Sequence, residues 1–148
     1  SNSSAASDVY KRQVPCKSGL RKLLAFLSAS GIKTAVASGS ARHVVQKYIE
    51  IVILAEYFPV IIGGGDFRQP KPSPEGFLLA ANYLSISAPE CLVLEDSGRG
   101  LEAAYRAGMH AIWVPDLDIP QREILEKADA VCETLTDVIP WIKAQNSL

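Results

Sequence analysis

The sequence predicts an α/β fold, a doubly wound parallel sheet with helices on both faces. Three observations carry this. Short apolar runs alternate with segments of helical periodicity from Lys17 onward. Those runs end in polar or glycine-rich turns. One of them, Cys91-Leu92-Val93-Leu94, is apolar at every position, the pattern of a strand covered on both faces. Strands alternating with helices pair in parallel, and such sheets bind ligands beyond the carboxyl ends of their strands.

The elements follow in order. Leu20, Leu23, Leu24 and Leu27 recur at helical spacing, and Gly31 ends that helix as its C′ residue. Thr34-Ala35-Val36-Ala37 is a short strand running into Ser38-Gly39-Ser40, a turn with a helix-capping residue. Val44, Val45, Tyr48 and Ile49 suit the next helix, whose end within residues 51–58 stays open. Val60-Ile61-Ile62 is a strand closed by Gly63-Gly64-Gly65. Pro70, Pro72 and Pro74 exclude regular structure until a helix opens at about Pro74, with Phe77, Leu78, Ala81 and Leu84 as its apolar face. After the strand at 91–94, residues 98–107 form a helix stopped by Gly108, and 111–114 a further strand. Helices are expected at 119–127 and 135–142, with a short strand at Ala130-Val131 between them. Trp113 and Trp141 read as core, and no repeat or linker divides the chain.

Composition narrows the function. The 148 residues are 48% hydrophobic and 21% charged, enough for one domain with a real core. A net charge of -1 gives no basic field for nucleic acid or an anionic membrane, so any phosphate must be bound by a local site. No apolar run approaches the length of a membrane span. Cys16, Cys91 and Cys132 form no CxxC and read as buried free thiols of a reducing, cytoplasmic protein. Ser3 to Gln13, SSAASDVYKRQ, resembles a translated sequencing adapter. Residues 1–13 are therefore set aside as non-native, and 14–148 are taken as a partial core domain cut mid-gene.

Three polar clusters fall at or after strand ends. Ser38-Gly39-Ser40 combines a hydroxyl, a glycine and a helix N-terminus, which together suit an anion; simple N-capping is the alternative. Lys71 stands between prolines on a stiff loop that can aim an ammonium at a phosphoryl oxygen; a solvated turn lysine is the alternative. Glu95-Asp96 closes a buried strand. Two carboxylates about 5 Å apart repel by roughly 3 kcal/mol at an effective dielectric near 20. A shared proton, a basic partner or a divalent cation must offset this, and Mg²⁺ takes one or two carboxylates plus phosphate and water. The alternative is a helix cap at Asp96 or Ser97 with a solvated Glu95. His43 and His110 lack partners at ligand spacing, and Arg42 reads as a solvated helix position.

Order and spacing then converge. Ala37-Ser38-Gly39-Ser40, Lys71-Pro72-Ser73-Pro74-Glu75-Gly76-Phe77, Leu94-Glu95-Asp96-Ser97-Gly98-Arg99-Gly100 and Ala107-Gly108-Met109 together resemble the haloacid dehalogenase superfamily, in its β-phosphoglucomutase-like and sugar-phosphatase branch. The resemblance covers about 14–142. It implies that Ser38 and Gly39 hold the transferring phosphoryl group, that Lys71 bridges phosphate and nucleophile, and that Glu95 and Asp96 position Mg²⁺. It implies Mg²⁺-dependent transfer through an aspartyl-phosphate, by a phosphatase of small phosphorylated metabolites or a sugar phosphomutase, in a monomeric parent. The family's first motif, Asp-x-Asp-Gly-Thr/Val, does not occur in the sequence. Asp8, followed by Val-Tyr-Lys, is rejected as nucleophile, and the fragment itself is expected to be inactive. The absent first strand belongs between the strands ending at Ser38 and Glu95, and the substrate-selecting cap is expected to be missing too. A dehalogenase proper needs no metal, which the acid pair argues against. A receiver-like signalling domain places its acids before its hydroxyl, the reverse of the order here.

Overall fold

The computed structural model describes residues 17–117 and 119–146. The adapter-like segment, Asp8 and Cys16 lie outside the described residues, as does any pairing of residues 8–14 beside the sheet.

Five strands, β1 (Ala35–Ala37), β2 (Val60–Ile62), β3 (Leu92–Glu95), β4 (His110–Trp113) and β5 (Ala130–Val131), alternate with helices α1 (Leu20–Ala29), α2 (Arg42–Ile51), α3 (Glu75–Leu84), α4 (Gly98–Arg106), α5 (Arg122–Leu125) and α6 (Val138–Asn146). All pairings are parallel. β1 pairs with β2, Val36 opposite Ile61. β3 pairs with β4, Glu95 opposite Trp113, and β4 with β5. Among the described residues, no hydrogen-bonded ladder joins the β1–β2 sheet to the β3–β4–β5 sheet.

The period of two along a strand sorts the core. Leu92, Leu94, Ile112 and Val114 point to one side, where they meet Leu23 and Leu27 of α1 and Val138 and Ile142 of α6. Val93, Ala111 and Trp113 point to the other side, against Phe77 of α3 and Leu101, Ala103 and Ala104 of α4. Val36 and Ile61 meet Leu24 of α1 and Val45 and Ile49 of α2. Helix α1 thus straddles the division: Leu23 and Leu27 serve one sheet, and Leu24 serves the other.

Gly31 ends α1 as expected. It sits at φ 69, and Ile32 N–H donates back to Leu27 O, the left-handed stop that glycine makes cheaply. Several expectations are corrected. No serine of the Ser38-Gly39-Ser40 turn caps α2; Ala41 holds that position without a side-chain cap, and the Ser40 N–H donates to Ser38 Oγ. Val44, Tyr48 and Leu78 are exposed, since only Val45, Ile49, Phe77, Ala80 and Ala81 face the sheets. The helix expected at 119–127 shrinks to Arg122–Leu125. Pro120 delays its start, and the i→i−3 bonds from Lys127 and Ala128 tighten it into a turn at its end. At 135–142 a capping box at Thr134 opens a 3₁₀ turn, and α6 begins only at Val138.

Leu101 has no exposed surface, whereas Leu78 is 43% exposed. Leu101→Ala is therefore expected to lower unfolding stability by about 2–5 kcal/mol, and Leu78→Ala by less than about 1 kcal/mol. Urea denaturation of the two variants checks this, and equal losses would place α4 outside the core.

Candidate active site

The strands of each sheet are parallel, and Lys71, which reaches both Ala37 O and Glu95, shows that the carboxyl ends of β1 and β3 lie at one edge. β1 delivers Ser38 there. The Ser38 N–H continues the β1–β2 ladder by donating to Ile62 O at 2.9 Å. Its Oγ accepts the Ser40 N–H at 3.1 Å, which leaves the hydroxyl proton to donate outward. The loop after β2 packs directly on this turn. Gly64 N–H donates to Ser40 O at 2.7 Å, and a Cβ at Gly64 would lie 2.3 Å from Gly39 O, so only glycine fits. Asp66 fastens the two loops. Its Oδ2 accepts the Gly63 N–H at 2.8 Å and Arg42 Nε at 3.1 Å. The Gly63 N–H lowers the Asp66 pKa; burial opposes this, and Arg42 adds to the lowering.

Lys71 arrives from the proline-rich loop. Its Nζ donates to Glu95 Oε2 at 2.9 Å and lies 3.5 Å from Ala37 O. One ammonium therefore reaches the ends of both sheets, over the Phe77 ring at 4.8 Å. The loop is tied at both flanks. Glu75, at the start of α3, accepts the Arg68 and Gln69 N–H groups on its two oxygens at 3.1 and 2.9 Å. Arg99 Nη2, from α4, donates to Lys71 O at 2.6 Å. The Lys71–Pro72 peptide is cis.

Glu95 is the last residue of β3, and its other oxygen accepts the Ser97 hydroxyl at 3.1 Å. Ser97 also caps α4 by accepting the Gly100 N–H. A Cβ at Gly100 would lie 2.0 Å from Glu95 Cδ, so the carboxylate occupies the room that this glycine leaves. Asp96 Oδ2 lies 3.4 Å from Lys17 Nζ, which also stands 3.8 Å from Asp116 Oδ2. The repulsion between the paired acids is thus offset here by two lysines, one for each. Adjacent carboxylates are hard oxygen donors of the class that Mg²⁺ takes, with water and phosphate completing its shell, so the donor set fits. Among the described residues, no group of three or more His, Cys, Asp or Glu gathers to hold a metal by itself.

Lys71 therefore brings the Ser38 turn and the Glu95-Asp96 pair to one edge. Lys17, Asp66, Glu75, Arg99 and Asp116 were missed. Glu75 had a signal, an acid in the first turn after Pro74. Lys17 and Asp116 lie far apart in sequence and carried none. His110 finds Asp129 at 3.3 Å and plays no part at this edge.

The Glu75 carboxyl is held below its ordinary range by the Arg68 and Gln69 N–H groups, against burial, with a further contribution from the Arg68 charge. A depressed folded-state pKa contributes stability that is present above the unfolded value and is lost as pH falls through the folded one. The gap in urea midpoint between wild type and Glu75→Gln should be full above about pH 5 and should narrow at lower pH. A gap independent of pH would show that the carboxylate does not tie this loop.

Comparison with known proteins places the chain in a family. A model of haloacid dehalogenase-like hydrolases matches residues 3–114, beginning inside the segment set aside above. The bifunctional riboflavin kinase/FMN phosphatase of Arabidopsis thaliana is 36% identical over 121 residues, 81% of this chain and 32% of that protein. Phosphoglycolate phosphatase of Salmonella choleraesuis is 29% identical over 125 residues, 84% of this chain and 50% of that protein. The structure of CbbY from Rhodobacter sphaeroides in complex with xylulose-1,5-bisphosphate superposes with a TM-score of 0.70 at 28% identity, covering 82% of this chain and 55% of that one. The chain spans from about a third to a half of the length of these curated relatives. With well over half of its residues inside the family match, the chain belongs to the haloacid dehalogenase-like hydrolase family.

Proposed function

We propose that this chain carries the phosphate-handling edge of a Mg²⁺-dependent phosphatase or sugar phosphomutase, and that by itself it turns over no substrate. The observation that carries the proposal is Lys71, whose ammonium stands between the Ser38 turn and the Glu95-Asp96 pair. Residues 14–148 are read as the native partial core and 1–13 as foreign to it. The substrate class is a small phosphorylated metabolite such as a sugar phosphate, supported by relatives named for phosphoglycolate and FMN phosphatase activities and by a neighbour bound to a sugar bisphosphate. The parent is read as a monomer. The free thiols of Cys91 and Cys132 support a cytoplasmic setting.

Each residue has a distinct task. The Ser38 hydroxyl and the neighbouring backbone N–H groups, that of Gly39 among them, donate to the phosphoryl oxygens at an uncapped helix entry. Lys71 neutralises charge as the ester bond breaks. Glu95 and Asp96 would hold Mg²⁺, which when bound supplies further charge stabilisation at the phosphoryl oxygens. In the parent, an aspartate from outside the described residues would attack phosphorus. The alcohol of the ester would leave, and the resulting aspartyl-phosphate would give its phosphoryl group to water in a phosphatase or to a sugar hydroxyl in a mutase, freeing the aspartate.

Two outcomes are expected. The 148-residue chain should show no turnover of p-nitrophenyl phosphate with Mg²⁺; metal-dependent turnover abolished by Lys71→Ala would overturn that. Inorganic phosphate binding, followed by ³¹P NMR with Mg²⁺ present, should weaken by at least about tenfold in Lys71→Ala. It should weaken by only about fivefold in Ser38→Ala, the difference between a charged and a neutral hydrogen bond. Equal losses would overturn this ranking of roles.

A further inference from the structure

The Lys17 backbone is anchored before its side chain begins. Lys17 O accepts the Leu20 N–H at 3.2 Å in the first turn before α1, and Ser18 O accepts the Leu135 N–H at 3.0 Å. From that fixed point the ammonium extends to the catalytic edge, 3.4 Å from Asp96 Oδ2 and 3.8 Å from Asp116 Oδ2. Asp116 follows β4 as Asp96 follows β3, so the lysine rests between the ends of two neighbouring strands. Glu95 has its own cation in Lys71; Asp96 has Lys17.

We infer that Lys17 is a built-in counter-ion that a divalent cation must displace from Asp96, so that cation affinity at this edge is set by Lys17 as much as by the two acids. The inference rests on reading Glu95 and Asp96 as the Mg²⁺ ligands. Mg²⁺ binds carboxylate oxygen directly, at about 2.0–2.1 Å. An ammonium on the same oxygen competes for it and repels the incoming charge. A lysine stem is flexible, and Asp116 gives the displaced ammonium a second carboxylate on which to rest. Lys17 thus keeps the acid pair neutralised before the cation arrives and remains at the edge afterwards.

The probe is Mn²⁺ alone, its free fraction read by electron paramagnetic resonance at low ionic strength with the full chain, folding of each variant being confirmed by circular dichroism. Lys17→Met keeps the apolar stem and removes the charge. It should bind Mn²⁺ at least about threefold more tightly than wild type, on the scale of an exposed ion pair. Lys17→Arg, which keeps the charge, should stay at the wild-type affinity. Added salt should narrow the gap between wild type and Lys17→Met, which a merely structural change would not do. A gain below threefold in Lys17→Met, an equal gain in Lys17→Arg, or a gap indifferent to salt would overturn the inference. The Asp96→Asn variant separates the two levels. If it binds Mn²⁺ as wild type does, Asp96 is no cation ligand, and the underlying reading fails together with the inference.

Discussion

The Lys71–Glu95 ion pair is the contact on which the rest of the edge depends. It is only partly exposed, with 28% of the lysine side chain and 11% of the glutamate side chain open to solvent. Each partner is fixed by others. Arg99 holds the Lys71 carbonyl, Phe77 lies beneath its ammonium, Ser97 holds the free oxygen of Glu95, and Gly100 gives the carboxylate its room. Removing one member of such a pair leaves an uncompensated charge, which costs more than the pair itself contributes. The pair is also a seam. Lys71 contacts the end of β1 and Glu95 ends β3, and the described strands on either side share no backbone ladder. Charge therefore links, at this edge, what hydrogen bonds link elsewhere in the fold.

The edge concentrates charge that the whole chain balances away. With a net charge of -1, the protein has no long-range field to attract an anion. At the strand ends, however, Lys17, Arg42, Lys71 and Arg99 each stand against an acid or a carbonyl. Such an arrangement is ordered before any ligand arrives, and that ordering is what makes electrostatic stabilisation effective. Its cost falls on the backbone, where Gly64 in its loop and Gly100 in α4 admit no side chain.

The sequence made legible whatever depends on local pattern. The unbroken apolar run before Glu95, the left-handed stop at Gly31 and the order of the serine, lysine and acid clusters were all readable, because each rests on neighbours within a few residues. What escaped depends on distance or competition. The Ser38-Gly39-Ser40 turn has side chains suited to a cap, but the helix enters one residue later, at Ala41. Val44 is adjacent to Val45, yet Val45 is buried in α2 while Val44 points to solvent. Lys17 reaches Asp96 across 79 residues of chain, a pairing that no periodicity encodes. The helix expected from Ile119 starts later because Pro120 interrupts it, leaving Ile119 outside the helix and 87% exposed.

The docking of α1 has a consequence for how the chain reaches its native state. Leu23 and Leu27 are buried by Val138 and Ile142, and the turn before α1 is tied to Leu135. The first described helix therefore finds part of its partner surface only at the far end of the described residues. Closing so long a loop carries an entropic cost that must be met before the contact returns anything. During synthesis α1 can settle early on the β1–β2 side through Leu24, but Leu23 and Leu27 wait, their apolar surface available to chaperones or to other nascent chains. The helix that binds the two sheets together in the finished molecule is thus one whose second face stays uncovered until chain far downstream has been made.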